Sequence, residues 1–163
     1  MRSDLQSSDV TPARADAFLR LNLEWLEKYF CVESIDRLVL SNPQAEVVDQ
    51  GGYILFAVVN GEAVGTVALK HFGGGIFELT KMAVTAPQQG AGVGRALLFA
   101  AIDRFKAVTG KMLYLETHSS LTTAIGLYER AGFVRRMPPG LSEYARGDTY
   151  MIYQPDTKFL KNK

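Results

Sequence analysis

The chain has 163 residues, 47% hydrophobic and 21% charged, with a formal net charge of +1. That length suits one domain, spanning residues 1–163, with a sizeable core. The near-zero charge offers no global field for nucleic acid or an anionic membrane, so neither is an expected partner. The single cysteine, Cys31, excludes an internal disulfide and any cysteine-built metal site, and no metal is expected. A lone thiol fits a reducing compartment. No apolar stretch approaches the roughly 20 residues of a membrane span. The start, MRSDLQSSD, has no apolar h-region. The cytoplasm is therefore the expected location.

In chain order, a strand before Asp9 is only weakly visible. Thr11-Pro12 reads as an N-cap and first helical position. Phe18, Leu21, Trp25, Leu26, Tyr29 and Phe30 then recur at helical spacing. A second short helix, Ser34 to Leu40, is stopped by Asn42-Pro43. Tyr53 to Val59 is a buried strand. Asn60-Gly61 suits a type I′ turn into a partner strand, Glu62 to Lys70. A glycine turn, Gly73 to Gly75, leads to a third strand, Ile76 to Val84. A helix runs from Gly92 to about Val108, with Val93, Leu97, Ala101 and Phe105 on one face. Lys111 to Thr117 is a strand, and Ser120 to Gly132 holds another helix. Phe133 to Met137 and Asp148 to Gln154 are short strands around a mobile-looking stretch, Pro138 to Gly147. A polar tail runs from Pro155. The pattern is one α/β domain with a mixed sheet.

The segment "PQQGAGVGRALL", Pro87 to Leu98, places glycines 90, 92 and 94 directly before an apolar helix. Glycines there allow a tight turn and close approach to the helix N-terminal amides, which is how a phosphate is held. A P-loop would need Lys-Ser or Lys-Thr after the last glycine, but Arg95-Ala96 follows Gly94. A Rossmann turn would need G-x-G-x-x-G directly after a strand, with an acid about 20 residues on. Glu116 is suggestive of that acid, but the spacing here is G-x-G-x-G. The third reading is the pyrophosphate of coenzyme A.

"QGAGVGRAL" resembles the Q/R-x-x-G-x-G/A motif of the GNAT N-acetyltransferase superfamily, with Gln89, Gly92 and Gly94 in the defining places. "ELTKMAV" is similar to the family's acyl-CoA-binding strand. "LET…AIGLYERAGF", Leu115 to Phe133, resembles its later motif, and "NLEWLEKYF", Asn22 to Phe30, its first helix. Two positions depart from the pattern. Ala86 stands where many members have proline, and Leu121 where many have asparagine. The resemblance implies a GNAT-like acyl-CoA N-acyltransferase fold, with a mixed, mostly antiparallel central sheet flanked by helices. It implies acetyl-CoA as co-substrate and direct acetyl transfer to a primary amine. Met82, Ala83 and Val84 would meet the pantetheine arm through backbone amides. Gln89, Gly90, Ala91, Gly92, Val93, Gly94 and Arg95 would meet the pyrophosphate, Gln89 mainly as a backbone donor. Arg95 has an alternative in solvent.

The resemblance places Tyr128 near the coenzyme sulfur. A phenol, protonated at neutral pH, can donate to a departing thiolate. Packing beside Leu127 is the competing reading. Glu78, Thr80 and Met82 alternate along their strand and are expected to share a face. A glutamate on this strand can act as base in the family, so Glu78 is the candidate. Glu116 and, behind it, His118 and His71 are alternatives. Cys31 as a nucleophile lacks an obvious activating partner. Trp25, Tyr29 and Tyr144, with Arg146, would line the acceptor site, although Trp25 and Tyr29 equally continue the apolar stripe. The acceptor is an amine-bearing small molecule, peptide or protein, and a homodimer stays open. Two other classes compete: a non-catalytic acyl-CoA-binding or regulatory domain, and a dinucleotide oxidoreductase.

Overall fold

The computed structural model describes residues 4–7 and 11–155. The expected polar tail lies outside the described residues. Seven strands form one sheet: β1 (Asp4–Ser7), β2 (Tyr53–Val59), β3 (Glu62–His71), β4 (Ile76–Val84), β5 (Met112–Thr117), β6 (Phe133–Arg136) and β7 (Thr149–Tyr153). Their spatial order is β1-β2-β3-β4-β5-β7-β6. Every neighbouring pair is antiparallel except β4 and β5. The expected mixed, mostly antiparallel sheet flanked by helices is what the chain adopts.

Local chemistry sets the boundaries. Helix α1 (Pro12–Tyr29) starts where the Thr11 hydroxyl accepts from Arg14 N at 3.3 Å. Helix α2 (Ser34–Ser41) starts where the Asp36 carboxylate accepts from Glu33 N at 2.9 Å, and it ends before Asn42-Pro43. A π-helical turn, Gln44–Val48, follows it, and nothing in the sequence pattern announces it. Asn60 and Gly61 take φ of 51° and 78°, the left-handed pair that a two-residue hairpin needs. Helix α3 (Val93–Ala107) follows the glycine segment, and helix α4 (Thr122–Ala131) ends at Gly132, φ 115°.

Strands β2 and β3 are buried on both faces, which explains the unbroken apolar run YILFAVV. Phe18, Leu21 and Leu26 of α1 and Val39 and Leu40 of α2 pack against Ile54, Phe56, Val58, Ala68 and Ala83. Leu97, Leu98, Ala101, Ile102 and Phe105 of α3 and Ile125 of α4 pack against Leu55, Ala57, Val67, Leu69, Phe77 and Leu79 on the other face. Each fully buried aliphatic or aromatic side chain contributes about 1.5–3 kcal/mol. Among the described residues no helix is long and apolar enough to cross a membrane.

Candidate active site

The site begins where the sheet opens. Strands β4 and β5 pair only from Ile76 with Met112 to Glu78 with Tyr114. Beyond that point they diverge, and the β5-facing amides of β4 have no strand partner. An extended ligand arm could add there as a strand would. An inner cavity of about 150 Å³ and an outer groove of about 540 Å³ occupy the opening. Trp25, Met82, Leu121 and Ala124 line both, so the two spaces adjoin.

The outer groove contains the glycine segment. Gly90 and Gly92 have φ of 83° and 85°, and a Cβ at either would meet nothing within 4 Å. Backbone geometry rather than crowding therefore demands glycine there. A Cβ at Gly94 would touch only Val84, at 3.9 Å. The missing side chain leaves the first turn of α3 open to a ligand. The amides of Val93, Gly94 and Arg95 have no intrahelical acceptor, so an anion fits this cradle. Arg95 lines the groove, with its guanidinium 5.2 Å from the Phe99 ring. Gln89 departs from expectation. Its backbone N–H is spent on Ala86 O at 3.2 Å, and its side chain donates to Val84 O at 3.0 Å. It braces the loop instead of offering its amide. Ala86 gains a reason as well: its N–H donates to Glu24 Oε1 at 3.0 Å, and Thr85 Oγ1 donates to the same oxygen at 3.0 Å. A proline could not make the first of these bonds. Glu24, which the sequence pattern did not single out, thus pins the loop to α1.

A bulge corrects the expected face-sharing on β4. Thr80 pairs with Ala68 and Ala83 with Thr66, so Lys81 and Met82 together face one β3 residue. Lys81 has φ +55°. The extra residue reverses the alternation. Glu78 and Thr80 stay on the α1/α2 side. Met82 and Val84 turn to the α3 side and pack with its core, whereas Ala83 joins the α1/α2 core. Met82, Ala83 and Val84 still line the outer groove.

The inner cavity brings Glu78 and Tyr128 together, with Glu116, Trp25 and Tyr144. Tyr128 is 8% exposed, and burial pushes its phenol up to about 12. Burial also raises Glu78 above the ordinary carboxylate range; the Tyr114 hydroxyl, which donates to it, opposes this, and the charge of Glu116 adds to it. Glu116 accepts from Ser142 Oγ at 2.6 Å. Tyr29 is 44% exposed and lines the outer groove rather than the inner cavity, apart from Tyr144. His118 lines the cavity rim and holds Ser120 Oγ at 2.6 Å. His71 lies at the far end of β3, 3.2 Å from Gln50 O. Cys31 is exposed and lines neither space.

A charged network missing from the sequence reading closes the cavity. Lys81 Nζ meets Asp36 Oδ1 at 2.7 Å and the Tyr144 hydroxyl at 2.9 Å. Arg146 donates to both Asp36 oxygens, at 2.7 and 2.8 Å, and to Glu33 Oε2 at 2.8 Å. Asp36 is fully buried. Burial raises its pKa, but the bonds from Arg146 and Lys81 more than offset this and hold it at about 2. Lys81 is also lowered, because burial outweighs its hydrogen bond and attraction to Asp36. The stretch expected to be mobile is therefore anchored from Ser142 to Gly147. No local spacing links Asp36, Lys81 and Arg146, so only the fold reveals the cluster.

Solved structures share this fold. A search of curated proteins finds no match. Among solved structures, an acetyltransferase of the GNAT family from Staphylococcus aureus Mu50 superposes with a TM-score of 0.82 at 18% identity, covering 94% of this chain and 99% of that one. The PaiA N-acetyltransferase from Thermoplasma acidophilum, in complex with coenzyme A, gives 0.73 at 18% identity over 94% and 99%. YncA from Salmonella typhimurium, with acetyl-CoA, gives 0.71 at 20% identity over 96% and 95%. The acetyltransferase (GNAT) family profile matches residues 17–133, and the chain belongs to that family.

Proposed function

We propose that the protein transfers an acetyl group from acetyl-CoA to a primary amine, directly and without an acyl-enzyme. The observation that carries this is the meeting of a raised carboxylate and a protonated phenol in one cavity beside the glycine cradle. Acetyl-CoA supplies an acyl group already activated as a thioester. The first-turn amides of α3 would hold its pyrophosphate, and the unpaired edge of β4 its pantetheine arm.

The chain's own residues then manage protons. An alkyl ammonium, pKa near 10.4, must lose a proton before it can attack. Glu78 accepts it, because its raised pKa makes the carboxylate a better base than an exposed one. As the C–N bond forms and the C–S bond breaks, the Tyr128 hydroxyl donates to the sulfur. Glu78 passes its proton to solvent, the acylated nitrogen loses its second proton to solvent, and solvent reprotonates Tyr128, so one proton is released per turnover. A free backbone amide of β4 near the bulge can polarise the carbonyl oxygen.

Thiol release in the presence of an amine panel tests the reading. Tyr128→Phe should keep acetyl-CoA affinity while lowering kcat by about 100-fold. Wild-type turnover would reduce Tyr128 to a packing residue. Binding without turnover of any amine would favour a non-catalytic acyl-CoA-binding domain.

A further inference from the structure

Asn22 of α1 lines the inner cavity and is 2% exposed. Its Nδ2 donates to Phe18 O at 2.9 Å. A carbonyl can only accept, so this bond fixes the amide's orientation and turns Oδ1 away from the helix backbone. No donor of the protein reaches that oxygen among the described residues. A buried acceptor without a donor is costly, so a ligand or water must supply one.

The charges around the cavity say what kind of ligand. Its two cations, Lys81 and Arg146, are consumed by Asp36 and Glu33. Its two other carboxylates, Glu78 and Glu116, receive only hydroxyl donors, from Tyr114 and Ser142. The space therefore presents surplus acceptors and negative charge, and no cation without a carboxylate partner. Trp25, Phe30 and Leu121 add apolar wall beside the hydroxyls of Thr80, Tyr128 and Tyr144.

Building on the acetyltransferase reading, we infer that the acceptor is a small primary amine with an apolar body and no carboxylate, and that Asn22 Oδ1 accepts a hydrogen bond from its amino group. A carboxylate beside the amine, as in a free amino acid, would face Glu78 and Glu116 with no cation to receive it. Like charges so placed are strongly disfavoured.

The test compares 2-phenylethylamine with L-phenylalanine, which differ by one carboxylate, following thiol release after acetyl-CoA binding is verified by calorimetry. The amine should exceed the amino acid in kcat/KM by about 100-fold or more. Asn22→Leu should raise KM for 2-phenylethylamine about tenfold, with kcat and acetyl-CoA affinity near wild type. Its thermal midpoint should not fall, because the substitution removes an unsatisfied buried acceptor. If that variant does not fold, Glu116→Gln serves instead and should narrow the preference for the amine over the amino acid. Equal or better use of L-phenylalanine overturns the substrate class and leaves acetyl transfer standing. An unchanged KM in Asn22→Leu overturns the role of Asn22. Acetyl-CoA binding with no thiol release from any amine overturns the acetyltransferase reading and this inference with it.

Discussion

Burial moves Glu78 toward neutral pH and Tyr128 away from it. Burial raises both groups, but it makes the carboxylate a stronger base and keeps the phenol a proton donor. The pH consequence follows from the direction of the first shift. Glu78 becomes a base only as pH rises through its raised pKa, so kcat should climb along an acid limb lying above the ordinary carboxylate range. Glu78→Gln should remove that limb and lower kcat by about 100-fold or more. A pH profile recorded on both proteins checks this, and an unchanged limb would move the base elsewhere, with Glu116 the next group in the cavity. That Glu78 and Tyr128 lie near one another was legible because each lies in a motif, and both line the inner cavity. The side of β4 on which Met82 lies was not. Alternation assumes one residue per partner, and the bulge at Lys81 breaks that count through a φ no apolar pattern encodes.

The elements were legible where local chemistry sets their ends. Strands β2 and β4 occupy the residues expected, because each is bounded by turn residues or by the glycine segment. Helix α1 starts at its expected cap. The coupling of α2, β4 and the segment before β7 was invisible, since Asp36, Lys81 and Arg146 lie far apart in sequence and meet only after folding. The strain of a lysine at positive φ, of order 1–3 kcal/mol, persists where the surroundings over-determine it, and the ion pair with Asp36 does that here. A buried pair of this kind adds little net stability, but removing one partner is expensive. Asp36→Ala should lower unfolding free energy by about 3–5 kcal/mol in denaturant titration. The folded pKa of Asp36 is depressed, so its contribution is present above the ordinary value of 3.8 and is lost as pH falls to about 2. A loss below 1 kcal/mol would show that the network is incidental.

At the scale of the molecule, one parallel pairing in an otherwise antiparallel sheet produces the site. Antiparallel β2, β3 and β4 form one layer, in which β2 and β3 are buried on both faces. The crossover through α3 brings β5 in parallel to β4, and the two part after Glu78. That split exposes the β4 edge, aims the first turn of α3 at the outer groove and leaves the inner cavity between α1 and the segment before β7. The fold class was legible from motif order, because each motif belongs to one layer. The inner cavity was legible only in part: Trp25, Tyr144 and Arg146 line it as expected, but its walls come from four distant stretches of chain. Acetyl transfer by this fold requires the glycine cradle to hold a coenzyme pyrophosphate. A calorimetric titration with acetyl-CoA, on wild type and Gly92→Glu, tests this most directly. Micromolar binding by the wild type, and none by a folded variant that places a carboxylate in the cradle, is the predicted result. No binding by the folded wild type, or equal binding by the two proteins, would contradict it.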